Sequence, residues 1–186
     1  MKNKGFTLLE ITVVVSIITL LSVIFLANYR QGEKNFALQR SAHQLAQDLR
    51  RVQNIAMASR EFEGTFPKGG YGVSFDIGTN PYILFADCDG NGKYSGDIGS
   101  ALSCAEATEA NPYPYEKIEE AVLEEGILVS ELSPISAENK LNITFFPPNP
   151  DITITPSANL ATITLTFGGG SEKKININTA GLIKIE

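Results

Sequence analysis

An α+β fold is predicted: one long N-terminal helix, apolar and membrane-spanning in its first half and amphipathic in its second, packed on a C-terminal antiparallel β-sheet domain. Three observations predict it. Residues 6–27 form an apolar run with a single charge, Glu10. Apolar residues then recur at helical spacing from Leu38 to Ala56. Beyond Gly64, short apolar or alternating runs are separated by Gly, Pro, Asn and Asp, with no helical crossover between them. At 186 residues the chain accommodates one folded domain and an anchor. Charge is segregated too: residues 1–60 hold eight Lys or Arg against three acids, and residues 61–186 hold seven against eighteen. A body this acidic repels nucleic-acid phosphate, which is bound through Lys and Arg, so nucleic acid is not an expected partner.

The first five residues, Met1-Lys2-Asn3-Lys4-Gly5, are short, polar and positive. The run from Phe6 to Ala27 follows, and as a helix it is about 33 Å long, enough to cross a bilayer core. Lys2 and Lys4 predict that the short flank stays cytoplasmic and the remainder is exported. A secretory signal peptide is a poor reading, because the apolar run is too long and Leu26-Ala27-Asn28-Tyr29 is a poor cleavage site. An ordinary single-pass anchor fits in length but leaves Glu10 unexplained, since a carboxylate in the apolar region is costly without a partner.

Lys4-Gly5-Phe6-Thr7-Leu8-Leu9-Glu10 resembles the type III signal of type IV pilins and type II secretion pseudopilins. The resemblance implies that residues 1–5 are a leader, cut by prepilin peptidase after Gly5, and that Phe6 becomes an N-methylated first residue. It also gives Glu10 a role in assembly, pairing with the N-terminal amine of a neighbouring subunit. Two charges that are each costly to bury alone are brought together when one helix packs a step along from the next. The implied partners are other pilin or pseudopilin subunits, prepilin peptidase and the inner-membrane assembly platform. One departure is visible: many pilins carry Pro or Gly in the middle of this helix, whereas here Gly32 is the first candidate break.

Residues 28–60 are predicted to continue the helix. Leu38, Ala42, Leu45, Leu49, Val52 and Ala56 fall on one face, which is expected to dock on the sheet rather than form a coiled-coil seam. His43, the sole histidine, has no second ligand near it and reads as a polar helix residue. Residues 61–186 are the β-rich exported domain. Strands are predicted at 71–77, 82–87, 121–132 with an interruption at Gly126, 141–146, 151–155, 160–167, 174–178 and 182–185. Short turns between them mean antiparallel pairing, in two small sheets or one curled sheet. The long helix, the strand pair ending in an acidic Gly-rich loop, and the final Thr179-Ala180-Gly181-Leu182-Ile183-Lys184-Ile185 are similar to the GspH/FimT group of minor pseudopilins and minor pilins.

Ligand chemistry is concentrated at Asp87-Cys88-Asp89-Gly90-Asn91-Gly92-Lys93 and on to Asp97. Asp87, Asp89 and Asn91 alternate before a glycine, as in the first half of a calcium loop, with Asp97 as a fourth candidate ligand and the Lys93 carbonyl as a fifth. The calcium pattern then fails, because Ile98 stands where the bidentate Glu belongs. A turn rich in Asp, Asn and Gly for backbone reasons alone accounts for the same residues. Cys88 and Cys104 are candidates for one disulfide across the loop in an oxidising compartment, or are two unpaired small apolar residues. Residues 99–115 read as a long surface excursion, and Glu116 to Glu125 as a solvated acidic strand edge.

These observations favour a structural subunit over an enzyme. The chain has one histidine, no nucleophile motif and no paired carboxylates on a recognisable scaffold, and no cofactor is required, calcium being the one candidate. The expectation is a minor subunit of a type II secretion pseudopilus or type IV pilus, held in the inner membrane until assembly. The alternatives are an anchored binding domain that never polymerises, or a DNA-uptake minor pilin, which the acidic body disfavours.

Overall fold

The computed structural model describes residue 5 and residues 7–96, 99–147, 151–168 and 170–186, with the backbone alone for residues 26–31. A single helix α1, Leu8–Met57, leads into nine strands among the described residues. The chain divides into two compact units, Met1–Phe36 and Ala37–Glu186. Gly32, the expected break, is accommodated within α1.

In the first unit α1 begins behind Thr7. The Glu10 N–H reaches the Thr7 hydroxyl at 3.3 Å and the Thr7 carbonyl at 3.1 Å, so Thr7 caps the helix and Glu10 occupies its third position. Thr7-Leu8-Leu9-Glu10 thus has the sequence of a capping box, a signal that explains why the helix starts here. From Leu8 to Phe25 none of the helix is buried within the molecule.

In the second unit the remainder of α1 presents the predicted stripe: Leu38, Ala42, Leu45, Leu49, Val52 and Ala56 are all buried. The helix stops in a left-handed turn at Ser59 (φ 46°), with the Arg60 N–H returning to the Ile55 carbonyl and the Ser59 N–H to that of Ala56.

The strands are β1 (Gly70–Asp76), β2 (Pro81–Asp87), β3 (Lys117–Val122), β4 (Ile127–Ser133), β5 (Lys140–Phe146), β6 (Asp151–Thr155), β7 (Leu160–Phe167), β8 (Glu172–Asn178) and β9 (Ile183–Ile185). They form two antiparallel sheets, ordered β3-β2-β1-β5-β6 and β4-β7-β8-β9. The inward residues of both, among them Val73, Phe75, Ile143, Val129, Ile163 and Ile175, join the α1 stripe in one core. The interruption predicted at Gly126 separates β3 from β4, which lie in different sheets.

Helix α1 also holds the end of β3, the edge strand of the larger sheet. Gln44 Nε2 donates to the Val122 carbonyl at 3.2 Å, and the Glu124 N–H donates to Ser41 Oγ at 3.2 Å. Arg51 pairs with Glu119 at 2.7 Å, and Arg40 grips Glu124 through two bonds of 2.6 and 2.7 Å. At the end of β3 the Val122 carbonyl and, just beyond it, the Glu124 N–H are thereby withheld from a foreign strand. Inside the sheet–helix layer, the Tyr82 hydroxyl donates to Asp48 at 2.5 Å.

Candidate functional site

Two places carry candidate chemistry. The first is the N-terminal segment. Gly5 is exposed, and Phe6 lies outside the described residues. Glu10 is exposed on the first turn of α1. An acid there is favoured by the helix dipole as well as by any outside cation. Eighteen consecutive residues, Leu8–Phe25, are long and apolar enough to span a membrane. Its hydroxyls are suited to lipid: Thr12, Ser16, Thr19 and Ser22 donate to the carbonyls of Leu9, Thr12, Val15 and Ile18 at 2.7–2.8 Å. No hydroxyl proton on that stretch is left unpaired in an apolar solvent.

The second place is the loop after β2. Asp87, the last residue of β2, is fully buried and serves as the loop's organiser. One carboxylate oxygen accepts the N–H of Gly90 at 2.8 Å and of Asn91 at 3.2 Å, and the other accepts that of Gly92 at 2.7 Å. Gly69 lies directly above: a Cβ there would meet Asp87 Oδ2 at 1.8 Å, so only glycine leaves room for this carboxylate. The next residue but one, Asp89, accepts from the Asn91 N–H and side-chain amide at 3.1 and 2.8 Å. Asn91 in turn accepts the Lys93 N–H at 2.7 Å. Cys88 and Cys104 are joined in a disulfide, which ties the 99–115 excursion to this loop through the short 3-10 turn Cys104–Glu106.

Glu116 departs from the sequence expectation. Rather than lying on a solvated edge, it is fully buried, and it accepts the N–H groups of Cys88 at 3.1 Å and Ser95 at 3.0 Å. It enters the core of the loop because it precedes β3, where the returning chain passes beneath residues 88–95. The rest of the acidic run behaves as expected, with Glu119, Glu120 and Glu125 exposed. No local signal marked Glu116 out from its neighbours, since its environment is made by residues more than twenty positions earlier in the chain.

Asp87, Asp89 and Glu116 each offer an oxygen within 4.8 Å of the others. Burial, then the neighbouring Asp89, pushes the Asp87 carboxyl up to about 7, against the pull of the Gly92 and Gly90 N–H groups. Burial likewise raises Glu116 to about 7, with the Asp89 charge adding to it. Such a trio is neutralised by protons or by a hard cation such as calcium, which takes oxygen ligands. Of the sequence candidates, the structure brings Asp87 and Asp89 together and adds Glu116. Asn91 stands beside them, engaged with Asp89 and the Lys93 N–H, and Asp97 lies outside the described residues.

Residues 1–26 match the family model of the prokaryotic N-terminal methylation motif. That match defines a class: the motif is that of type IV pilin-type precursors, which prepilin peptidase processes and which assemble with other pilins, and among the described residues the one helix long and apolar enough to cross a membrane is consistent with a membrane-anchored, single-pass protein. No curated protein and no solved structure matches the chain.

Proposed function

We propose that the chain is a minor pilin or pseudopilin, a non-catalytic structural subunit of a type II secretion pseudopilus or a type IV pilus. The observation that carries this reading is the apolar helix of the first unit: it is wholly exposed, carries one acid at its start, and stands under a methylation motif. Such a surface needs lipid before assembly and like helices after it. Transfer between the two leaves apolar burial nearly constant, while Glu10 meets the N-terminal amine of a neighbour cut after Gly5. The GspH/FimT-like order of elements supports a priming or tip position rather than the bulk of the shaft. The buried Cys88–Cys104 disulfide supports an exported body, with Lys2 and Lys4 holding the other end in the cytoplasm.

The test is the mass and N-terminal sequence of the protein recovered from its native membranes. A chain beginning at N-methylated Phe6 is expected. A chain beginning at Met1 in cells with active prepilin peptidase would leave an anchored domain that does not polymerise.

A further inference from the structure

The two faces of the larger sheet differ in a way that the filament reading does not use. Its inner face is apolar and meets α1. On the outer face one cross-strand row runs over all five strands: Glu120 opposite Ile83, Ile83 opposite Ser74, Ser74 opposite Asn142, and Asn142 opposite Thr155. The neighbouring row pairs Asp76 with Lys140. The acidic loop folds back over the adjacent rows. There Tyr94 packs on Phe85 with ring centroids 5.7 Å apart, and its N–H donates to Asn142 Oδ1 at 3.2 Å. The loop reaches the Ser74 row at Asn142, and beside that contact lie two adjoining cavities of about 230 and about 150 Å³ that share Tyr94 and Lys140.

The floor of this groove is polar at depth. Ser74 is 7 % exposed and Asn142 is 5 % exposed, yet both line the cavities. Among the described residues, Ser74 Oγ, Asn142 Nδ2 and Lys140 Nζ enter no hydrogen bond or ion pair within the protein. Both signs of charge surround them: Lys93 and Lys140 against Asp76, Glu120 and Glu138. An anionic ligand meets three carboxylates there and a cationic one meets two ammonium groups, so neither is favoured. Apolar surface is also available, since Tyr94, Ile83 and Pro81 line the same cavity. A ligand that answers all of this is uncharged, carries hydroxyls that both donate and accept, and has C–H faces for the aromatic wall.

We infer that this groove is a binding site for a neutral saccharide, one or two sugar rings of a glycan chain. The size of the cavities, below that of pockets for drug-sized ligands, fits so short a segment. The site lies wholly in the second unit, and its occupancy is independent of whether the chain polymerises.

The test is saturation-transfer NMR on the full chain in a detergent without sugar headgroups. The probes are glucose, galactose, mannose, N-acetylglucosamine and N-acetylgalactosamine, with lactose and chitobiose. Saturable transfer to at least one probe is expected, weakened about five-fold by Lys140→Met, which removes one donor. Asn142→Asp, which keeps the acceptor for the Tyr94 N–H and removes the amide donor, weakens it similarly. Lys174→Met, on β8 of the other sheet, leaves binding unchanged. Absence of transfer to every probe by protein with an intact thermal melt overturns the inference. So does transfer that both groove variants leave untouched.

Discussion

The two units of this chain meet their physical requirements in opposite ways. In the body, the buried acids and a buried tyrosine find partners inside the chain: Asp87 takes three backbone N–H groups, Glu116 takes two, and Tyr82 donates to Asp48. In the first unit the apolar side chains from Leu8 to Phe25 find none, and Glu10 has only the helix start to serve. A region whose needs are met internally reports on folding. One whose needs are unmet reports on what lies outside it, which is why the N-terminus carries the filament assignment and, in the body, the partly unpaired polar floor at Ser74 and Asn142 carries the saccharide inference.

Glu10 offers the largest test of that comparison, because two physical roles converge on it. As a cap residue it acts within its own helix, and as a buried charge it acts on a neighbour. Glu10→Gln preserves the capping-box sequence and removes the charge, whereas Glu10→Ala removes both. If the charge recruits a neighbour's amine, both variants insert and are processed, and both lower the filament fraction about tenfold or more, the effect of only 1.4 kcal/mol. Assembly by Glu10→Gln at the parent level would return Glu10 to a local role. Quantitative blotting of sheared filaments against membranes reads the ratio.

Within the body the largest expected effect is steric. At Gly69 a methyl group would overlap a carboxylate that three N–H groups hold in place. Gly69→Ala therefore displaces Asp87 or the β1 entry, and a loss of about 3 kcal/mol is expected, the upper end for an overpacked core. Thermal unfolding measures it, and a shift of less than a degree would show that the loop yields freely.

What could be read from sequence follows the same division. The helix, its buried stripe and the strands were legible because period and turn chemistry are local signals. Leu38 to Ala56 repeat at helical steps, and the turns are marked by Gly78, Gly126 and Gly181. Glu116 was not legible. Its burial depends on Cys88 and Ser95 supplying N–H groups across the fold, and nothing in Tyr115-Glu116-Lys117 distinguishes it from exposed Glu119. The cross-strand row over Ser74 and Asn142 was invisible for the same reason, since register between distant strands is a tertiary fact.

The buried carboxyls make the body's stability depend on pH, with a sign opposite to that of a salt-bridged acid. Asp87 and Glu116 are raised to about 7 in the fold, while an unfolded carboxyl titrates near ~4. Between these values the folded chain holds more protons than the unfolded one. Stability is therefore full below the unfolded value and is lost as pH rises through about 7. The melting temperature should fall from pH 5 to pH 8, and Glu116→Gln should flatten that slope. Calcium chloride at pH 8 separates the two neutralisers. A rise in melting temperature that Glu116→Gln abolishes assigns the trio to a cation, and no rise assigns it to protons.

The smallest effect is expected where the body's polar groups are paired but wet. Arg40 and Glu124 form a two-bond pair, yet their side chains are 61 % and 34 % exposed. The guanidinium beside Glu124 holds its carboxyl below the usual range, which shows attraction but not its net worth against water and salt. Arg40→Ala should lower stability by about 0.5–1 kcal/mol, less at high ionic strength. Its second consequence is more telling, because this pair also fastens α1 beside the end of β3, where Ser41 receives the Glu124 N–H. If the pair matters as edge protection rather than as binding energy, Arg40→Ala will aggregate faster at equal stability than a control such as Lys184→Ala. Light scattering at matched fractions folded decides between the two, and equal rates would leave Gln44 and Ser41 as sufficient guards of that edge.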